Sequence, residues 1–255
     1  MIRIAKYVLY DILRNKFVIM YTLFLLLVTL SMFSLDTDPG KSTISLLNII
    51  LLVVPLVSIV FTTIHFFNSY EFIELLLSQP VSRRTIYFAE YLSIALALAL
   101  AYFIGVAVPL FFFNFNIAAA YLILSGLALT FVFVSLAFVA AVSTRDKAKA
   151  IGVSLLFWFY FTLIYDGFIL YVIYSFSDYP LEKIILMLVS MNPIDLARII
   201  ILLKLDLSAL MGYTSAFYKN FFGSNLGVAY SFLLLLLWTL VPLLLALRRF
   251  VRKDM

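Results

Sequence analysis

Few side chains in this sequence have the chemistry of a catalyst or a metal ligand. His65 is the only histidine, and cysteine is absent. A metal site needs several convergent ligands, and Glu71 is the one carboxylate that we place near His65. The sequence therefore predicts no metal site and no thiol chemistry, and it favours a structural or hydrogen-bonding role for His65.

Nucleophilic catalysis by a serine is the second option that the residue types raise. Ser125 and Gly126 lie together in an apolar stretch, as the nucleophile does in six-span intramembrane serine proteases, whose pattern resembles GxSG with a later histidine. Here Ile123 takes the place of the first glycine, and His65 comes earlier in the chain. The glycine-rich phosphate-binding loop of ATPases is also absent. We predict no catalytic residue and no cofactor in this chain, so that another chain would have to bind any ATP and Mg.

Two carboxylates stand inside apolar stretches, where ionisable residues are costly and are functional candidates. Asp166, which follows Tyr165, is in the outer part of its apolar stretch. It could line a substrate path, or it could lie at the outer boundary in water. Glu90 lies one turn into its stretch, where we expect it to face the cytoplasmic interface. Neither belongs to the series of buried carboxylates that is typical of proton- or sodium-coupled pumps.

The elements that hold these residues are predicted to be membrane helices. Of the 255 residues, 65% are hydrophobic and 12% are charged, whereas a soluble domain has about 45–50% apolar and about 25% charged residues. Six apolar stretches are long enough to cross a hydrocarbon core of about 30 Å. They are residues 17–35, 44–67, 86–113, 118–142, 151–175 and 226–247, named spans one to six. We predict an all-α integral membrane protein that forms a single domain over residues 1–255.

Basic residues set the orientation of the six spans. Thirteen of the 18 basic residues lie on one side of the membrane if the spans alternate in direction. They are Arg3, Lys6, Arg14, Lys16, Arg83, Arg84, Arg145, Lys147, Lys149, Arg248, Arg249, Arg252 and Lys253. Because Lys and Arg collect in short cytoplasmic loops, both ends of the chain are predicted in the cytoplasm. The positive charge is then a topology signal, and no nucleic acid is expected as a partner.

Two segments on the cytoplasmic side are predicted to be helices that do not cross the membrane. Residues 1–16 place apolar and basic side chains on opposite faces, which indicates an interfacial helix lying on membrane lipid. In residues 69–85, Phe72, Leu75 and Leu76 form an apolar stripe beside two glutamates, and Pro80 ends the helix. This stripe would either bind a partner protein or fold back onto the bundle.

The outer segment 176–225 is too long for a plain connection. Its apolar parts, residues 184–189 and 196–203, are each too short to span a bilayer. Asn192 is predicted to cap a helix that starts at Pro193, with Asp195 in its first turn. We therefore expect two short re-entrant helices joined by a capped turn, and an exposed loop over residues 206–224.

Together these parts resemble the ABC-2 class of ABC transporter permeases, with a type V exporter-like fold, and within it the NosY-type permeases. Two segments carry the resemblance. Residues 74–83, ELLLSQPVSR, look like the coupling segment "LLLxxPxsR" of that family. Residues 192–198, NPIDLAR, look like its outer segment "NPxDxxR".

The resemblance implies a permease subunit of the inner membrane with no catalysis of its own. Two copies would pair with two copies of a cytoplasmic ABC ATPase, which binds ATP and Mg. The implied coupling residues are Glu71, Phe72, Glu74, Leu75, Leu76, Gln79, Pro80, Arg83 and Arg84. The implied outer-gate residues are Asn192, Pro193, Asp195 and Arg198, and Asp166 is a candidate for the pathway.

NosY-type permeases serve the assembly of the copper–sulfur centres of nitrous oxide reductase, with a periplasmic partner protein. The absence of cysteine and the single histidine disfavour a direct copper channel through this chain. The alternatives are an ABC-2 exporter of another substrate, such as a lipid, peptide, drug or ion, and a membrane scaffold that transports nothing.

Overall fold

Helices make up all the regular structure in the part of the chain that the structure describes. The structure is a computed structural model, and it describes residues 2–35, 39–113, 115–176, 181–204 and 225–252. The α-helices are α1 (Ile2–Leu13), α2 (Lys16–Leu35), α3 (Pro39–Asn68), α4 (Tyr70–Leu77), α5 (Arg83–Tyr102), α6 (Val108–Phe113), α7 (Ile117–Ser143), α8 (Lys147–Phe159), α9 (Tyr165–Ser175), α10 (Glu182–Ser190), α11 (Pro193–Lys204) and α12 (Asn225–Arg252).

Six of the helical segments are long and apolar enough to cross a membrane, which confirms the predicted number of spans. Span one is α2, span two is α3, span four is α7 and span six is α12. Span three joins α5 to α6 through the π-helical turn Phe103–Ala107, and span five joins α8 to α9 through the π-helical turn Tyr160–Ile164. Several helices run a few residues past the predicted apolar stretches at basic ends, because Lys and Arg can bury their stems while their charges stay in water.

Spans three and four form the centre of the bundle, and spans one and five lie at its edge. In span four, 72% of the most apolar window is buried inside the protein, against 17% in span five. The central contacts are aromatic: Phe138 of span four meets Phe66 edge-on at 5.6 Å and Tyr87 at 5.3 Å. Phe250 of span six packs against both of these partners, so that three spans are joined to span four at one level.

Contacts between the ends of the spans agree with the predicted alternation. The side chain of Arg83 donates to the carbonyl of Val251 over 3.1 Å, and Lys147 Nζ donates to Asn68 Oδ1 over 2.7 Å. These bonds place the ends of α3 and α12 and the starts of α5 and α8 at one end of the bundle. At the other end, the ammonium group of Lys204 lies over the ring of Tyr121, near the start of span four.

The prediction that Glu90 faces the cytoplasmic interface is wrong. Its side chain is 1% exposed, and neither carboxylate oxygen has a hydrogen-bond partner in the described part of the chain. One turn later, Ser93 donates to the carbonyl of Ala5 over 2.8 Å. Helix α1 buries Val8 and Ile12 and packs along α5, so this helix rests on protein and covers this face of span three.

Two glycines of spans three and four make room for close contacts with neighbouring helices. A Cβ added to Gly105 would lie 2.6 Å from the Cβ of Leu25 in span one. A Cβ added to Gly126 would lie 2.2 Å from the hydroxyl of Tyr102, a fully buried side chain that donates to the carbonyl of Leu122. Small residues let membrane helices approach each other closely, and both contacts depend on that property.

We expect Gly105→Ala and Gly126→Ala each to destabilise the protein by about 1–3 kcal/mol, because the added methyl group overpacks a contact that cannot open. Gly152→Ala and Gly167→Ala are matched controls, since a Cβ at either position would meet no atom within 4 Å. Thermal unfolding in detergent measures the difference. Equal melting temperatures for all four variants would contradict the packing role of Gly105 and Gly126.

Candidate functional site

The predicted cytoplasmic helix is present as α4, Tyr70–Leu77, and it ends three residues before Pro80 as expected. Its last turn is closed by two backbone bonds: the N–H of Ser78 donates to the carbonyl of Glu74, and the N–H of Gln79 donates to the carbonyl of Leu76. The next helix, α5, begins at Arg83, and Ser82 caps it by accepting from the N–H of Thr85. Helix α4 is thus an independent element between two spans, with a defined stop on its C-terminal side.

The two faces of α4 have different surroundings. Ile73 and Leu76 are buried against the bundle, which fixes the helix in place. Leu75 is 65% exposed, and Glu71 and Glu74 are exposed on the same outer side. The predicted apolar stripe is therefore divided: Leu76 points inward, because residues three apart on a helix share a face and Ile73 is its neighbour.

Other predicted coupling residues link α4 to the rest of the bundle. Phe72 is half-buried, and its ring lies 6.0 Å from the ring of Tyr7 in α1. Arg83 is half-buried and bonds the last turn of span six. Arg84, Gln79 and Pro80 are exposed. This last group therefore lies with Glu71, Glu74 and Leu75 on the surface that a cytoplasmic protein could reach.

His65 and Ser125 do not form a catalytic pair in the structure. His65 Nε2 lies 3.3 Å from the hydroxyl of Ser69, and the ring stacks on Phe61. Ser125 is buried in span four, and its hydroxyl has no hydrogen-bond partner among the described residues. His65 therefore joins the end of span two to the start of α4, the structural and hydrogen-bonding role that the sequence predicts.

The outer re-entrant pair follows the predicted arrangement. Helices α10 and α11 are separated by two residues, and their axes are bent by 111°. The side-chain oxygen of Asn192 accepts from the N–H of Ile194 over 3.0 Å, and Pro193 is the first residue of α11. Asn192 is thus the cap that the sequence predicts. Within the predicted segment 176–225, residues 177–180 and 205–224 lie outside the described residues.

An ion-pair network joins α11 to span five. Arg198 Nη1 lies 2.9 Å from Asp166 Oδ2 and 3.1 Å from Asp195 Oδ1. Asp195 also accepts from Asn192 Nδ2 over 2.8 Å, and it is 5% exposed. Asp166 is therefore a partner of Arg198 rather than a carboxylate left alone in water. The network holds one positive charge between two carboxylates and fixes α11 against span five.

A contact to a backbone carbonyl ties the same two elements together, and no sequence motif predicts it. In the π-helical turn, the N–H of Tyr165 donates to the carbonyl of Tyr160, so that the carbonyl of Phe161 loses the partner it would have in an α-helix. Asn192 Nδ2 donates to this carbonyl over 3.0 Å. The hydroxyl of Tyr165 donates to the carbonyl of Leu188 in α10 over 2.7 Å. Span five and the re-entrant pair therefore form one unit.

We expect Asn192→Ala to destabilise this unit by about 1–3 kcal/mol, because it removes the helix cap and leaves the Phe161 carbonyl without a partner. Met191→Ala is the matched control, since Met191 precedes the cap and is 53% exposed. Thermal unfolding in detergent compares the two variants. An Asn192→Ala protein as stable as Met191→Ala would show that the amide contacts contribute nothing.

Comparison with known proteins agrees with this arrangement. The sequence model of the ABC-2 family transporter proteins matches residues 3–255, which is almost the whole chain. No curated protein matches the sequence significantly. The match and the six-span helical fold point to the same class, the membrane component of transporters driven by a partner ABC ATPase. This chain belongs to the ABC-2 transporter family.

Proposed function

We propose that this chain is a permease subunit that receives the motion of a separate cytoplasmic ATPase through α4. One observation carries the proposal: α4 is anchored to the bundle by Ile73 and Leu76 while it presents Leu75, Glu71 and Glu74 outward. A buried apolar face explains how the helix stays in place. It does not explain why Leu75 is exposed beside two exposed carboxylates, an arrangement that suits an apolar socket with a basic rim on a partner.

The contacts on either side of α4 would transmit a displacement of this helix to spans two, three and six. Ser69 Oγ is within hydrogen-bond distance of His65 at the end of span two. On the other side, Arg83 begins span three and donates to the backbone of span six. A displacement of α4 would therefore move the ends of these spans together, which is the kind of rigid-body coupling that transport by alternating conformations requires.

ATP and Mg belong to the partner in this proposal. The sequence has no glycine-rich phosphate-binding loop, so the chain needs a second protein to hydrolyse ATP. ATPases of this kind act as a pair of subunits around ATP, and we propose two ATPase copies for two copies of this permease. When one ATPase dimer binds two permeases, the first docking event raises the effective concentration for the second, so the overall affinity increases.

Substitution of the exposed face of α4 tests the docking role. We expect Leu75→Asp to reduce co-purification of the partner ATPase at least 10-fold, because a carboxylate would enter the apolar socket, while the melting temperature of the permease stays unchanged. Lys149→Asp is the control, since it adds a carboxylate on the same membrane side at an exposed position outside α4. Full ATPase association of Leu75→Asp would reject α4 as the docking helix.

We propose that a second copy of this chain packs against span five. This span is the least buried of the six, and Tyr160 is 43% exposed near its middle. A tyrosine hydroxyl at this depth needs a polar partner that lipid tails do not provide. The π-helical turn that contains Tyr160 also shifts the side chains that follow it along the helix surface, which shapes the face offered to a partner.

Cysteine crosslinking tests the paired arrangement without interference, because the natural chain has no cysteine. We expect Tyr160→Cys to form a crosslinked dimer in lipid vesicles under mild oxidation. Leu240→Cys is the control, with a similarly exposed side chain in span six. Equal crosslinking of both variants, or of neither, would contradict a dimer through span five.

For the branch of the family, we propose the role that the two motifs suggest: maturation of the copper–sulfur centres of nitrous oxide reductase, at the inner membrane and with a periplasmic partner. The support is residues 74–83 and 192–198 alone. Deletion of the gene should then leave the reductase without its copper–sulfur absorption band, and normal absorption would favour another ABC-2 substrate, such as a lipid, peptide, drug or ion.

A further inference from the structure

A basic cavity lies at the cytoplasmic end of the bundle, away from α4 and from the outer network. It has a volume of about 350 Å³ and lies between the end of span four and the end of span six. Its lining residues are Val142, Ser143, Arg145, Arg248, Arg249 and Arg252. Four of these six residues are arginines, and no carboxylate is among them.

Among the described residues, no carboxylate forms an ion pair with the arginines of this cavity. Within the described residues, the ion pairs are those of Arg198 at the other end of the bundle, and none involves a cavity arginine. Asp146 is next to Arg145 in sequence, and its carboxylate accepts from the N–H of Lys149 as the cap of α8. Asp254, two residues after Arg252, lies outside the described residues. Four guanidinium groups around one cavity repel each other, so an anion that enters the cavity relieves this repulsion.

One arginine of the cavity is already oriented. Arg249 donates to the hydroxyl of Ser143, and that hydroxyl donates to the carbonyl of Val139. This chain of bonds directs the guanidinium group across the gap between the two spans. Arg248 and Arg252 lie one turn apart on α12, and Arg145 approaches from the short connection between α7 and α8.

We propose that this cavity binds the phosphate of an anionic phospholipid from the cytoplasmic leaflet. Arginine is suited to phosphate because its planar fork donates two parallel hydrogen bonds to two oxygens. Basic cavities between membrane helices on the cytoplasmic side are suited to lipid headgroups. The cavity volume can hold a phosphate group with part of its glycerol.

The surface next to the cavity indicates a lipid rather than free phosphate. One turn before Arg248 and Arg249, Leu244 and Leu245 are 50% and 49% exposed on span six. These two leucines are thus exposed on the membrane-spanning part of the helix, next to the arginines of the cavity. An acyl chain lying along them would add apolar contact to the phosphate contact, which a free inorganic anion cannot do.

Lipid titration followed by native mass spectrometry of the detergent-solubilised full chain tests the proposal. We expect phosphatidylglycerol to bind more tightly than phosphatidylcholine. The triple variant Arg248→Gln, Arg249→Gln, Arg252→Gln should lose on the order of 100-fold in affinity, from about fivefold for each arginine. The control variant Lys16→Gln, Lys147→Gln, Lys149→Gln removes three exposed charges from the same side, outside the cavity and α4, and should lose less than about threefold.

Three outcomes would overturn the proposal. Equal losses for the two triple variants would mean that lipid follows overall charge and not the cavity. Displacement of phosphatidylglycerol by millimolar inorganic phosphate would assign the cavity to a free anion. A triple variant that keeps its lipid affinity and loses the partner ATPase would make the cavity a protein contact. If the triple variant unfolds, Arg252→Gln alone takes its place, with an expected loss of about fivefold.

Discussion

A backbone carbonyl without a hydrogen-bond partner is costly inside a hydrocarbon layer, because no water is present to donate to it. The contacts between span five and the two short outer helices satisfy this constraint. The π-helical turn of span five leaves the Phe161 carbonyl free, and Asn192 donates to it. The same side chain caps α11 with its oxygen. The π-helical turn of span five and the turn between α10 and α11 are therefore complementary. The first supplies a free carbonyl, and the second supplies the side chain that donates to it.

The bundle combines a tightly packed centre with a loosely covered edge. Spans three and four bury most of their side chains, with Gly105 and Gly126 allowing close approach, whereas spans one and five leave most of theirs exposed. Lipid tails are as apolar as the side chains, so exposure alone is no defect in a membrane. The exposed Tyr160 is different, because its hydroxyl is polar. This side chain supports the proposal that a second copy packs on span five, the span that also carries the outer network.

The two ends of the protein serve separate tasks in the proposed cycle. At the cytoplasmic end, α4 contacts spans two and three, and Arg83 extends the connection to span six. At the outer end, Arg198 and Asn192 bind the re-entrant pair to span five. Motion that enters at α4 can reach the outer unit through span two, which packs against both span five and α11. Spans three and four, which bury many alanines together with Gly105 and Gly126, are packed tightly enough to move as one body.

The sequence alone determined the number of spans, their alternation and the cap of α11, because these depend on local properties: apolar length, the placement of Lys and Arg, and Asn192 beside Pro193. Only the tertiary structure decided which side of a helix meets protein. Leu75 and Leu76 are alike in sequence, yet one is exposed and the other buried. The sequence predicts an interfacial Glu90, but its side chain is buried because α1 packs along α5. No local sequence feature predicts that the Phe161 carbonyl accepts from Asn192. These outcomes depend on which helices become neighbours, and the apolar composition of all six spans leaves that choice to packing.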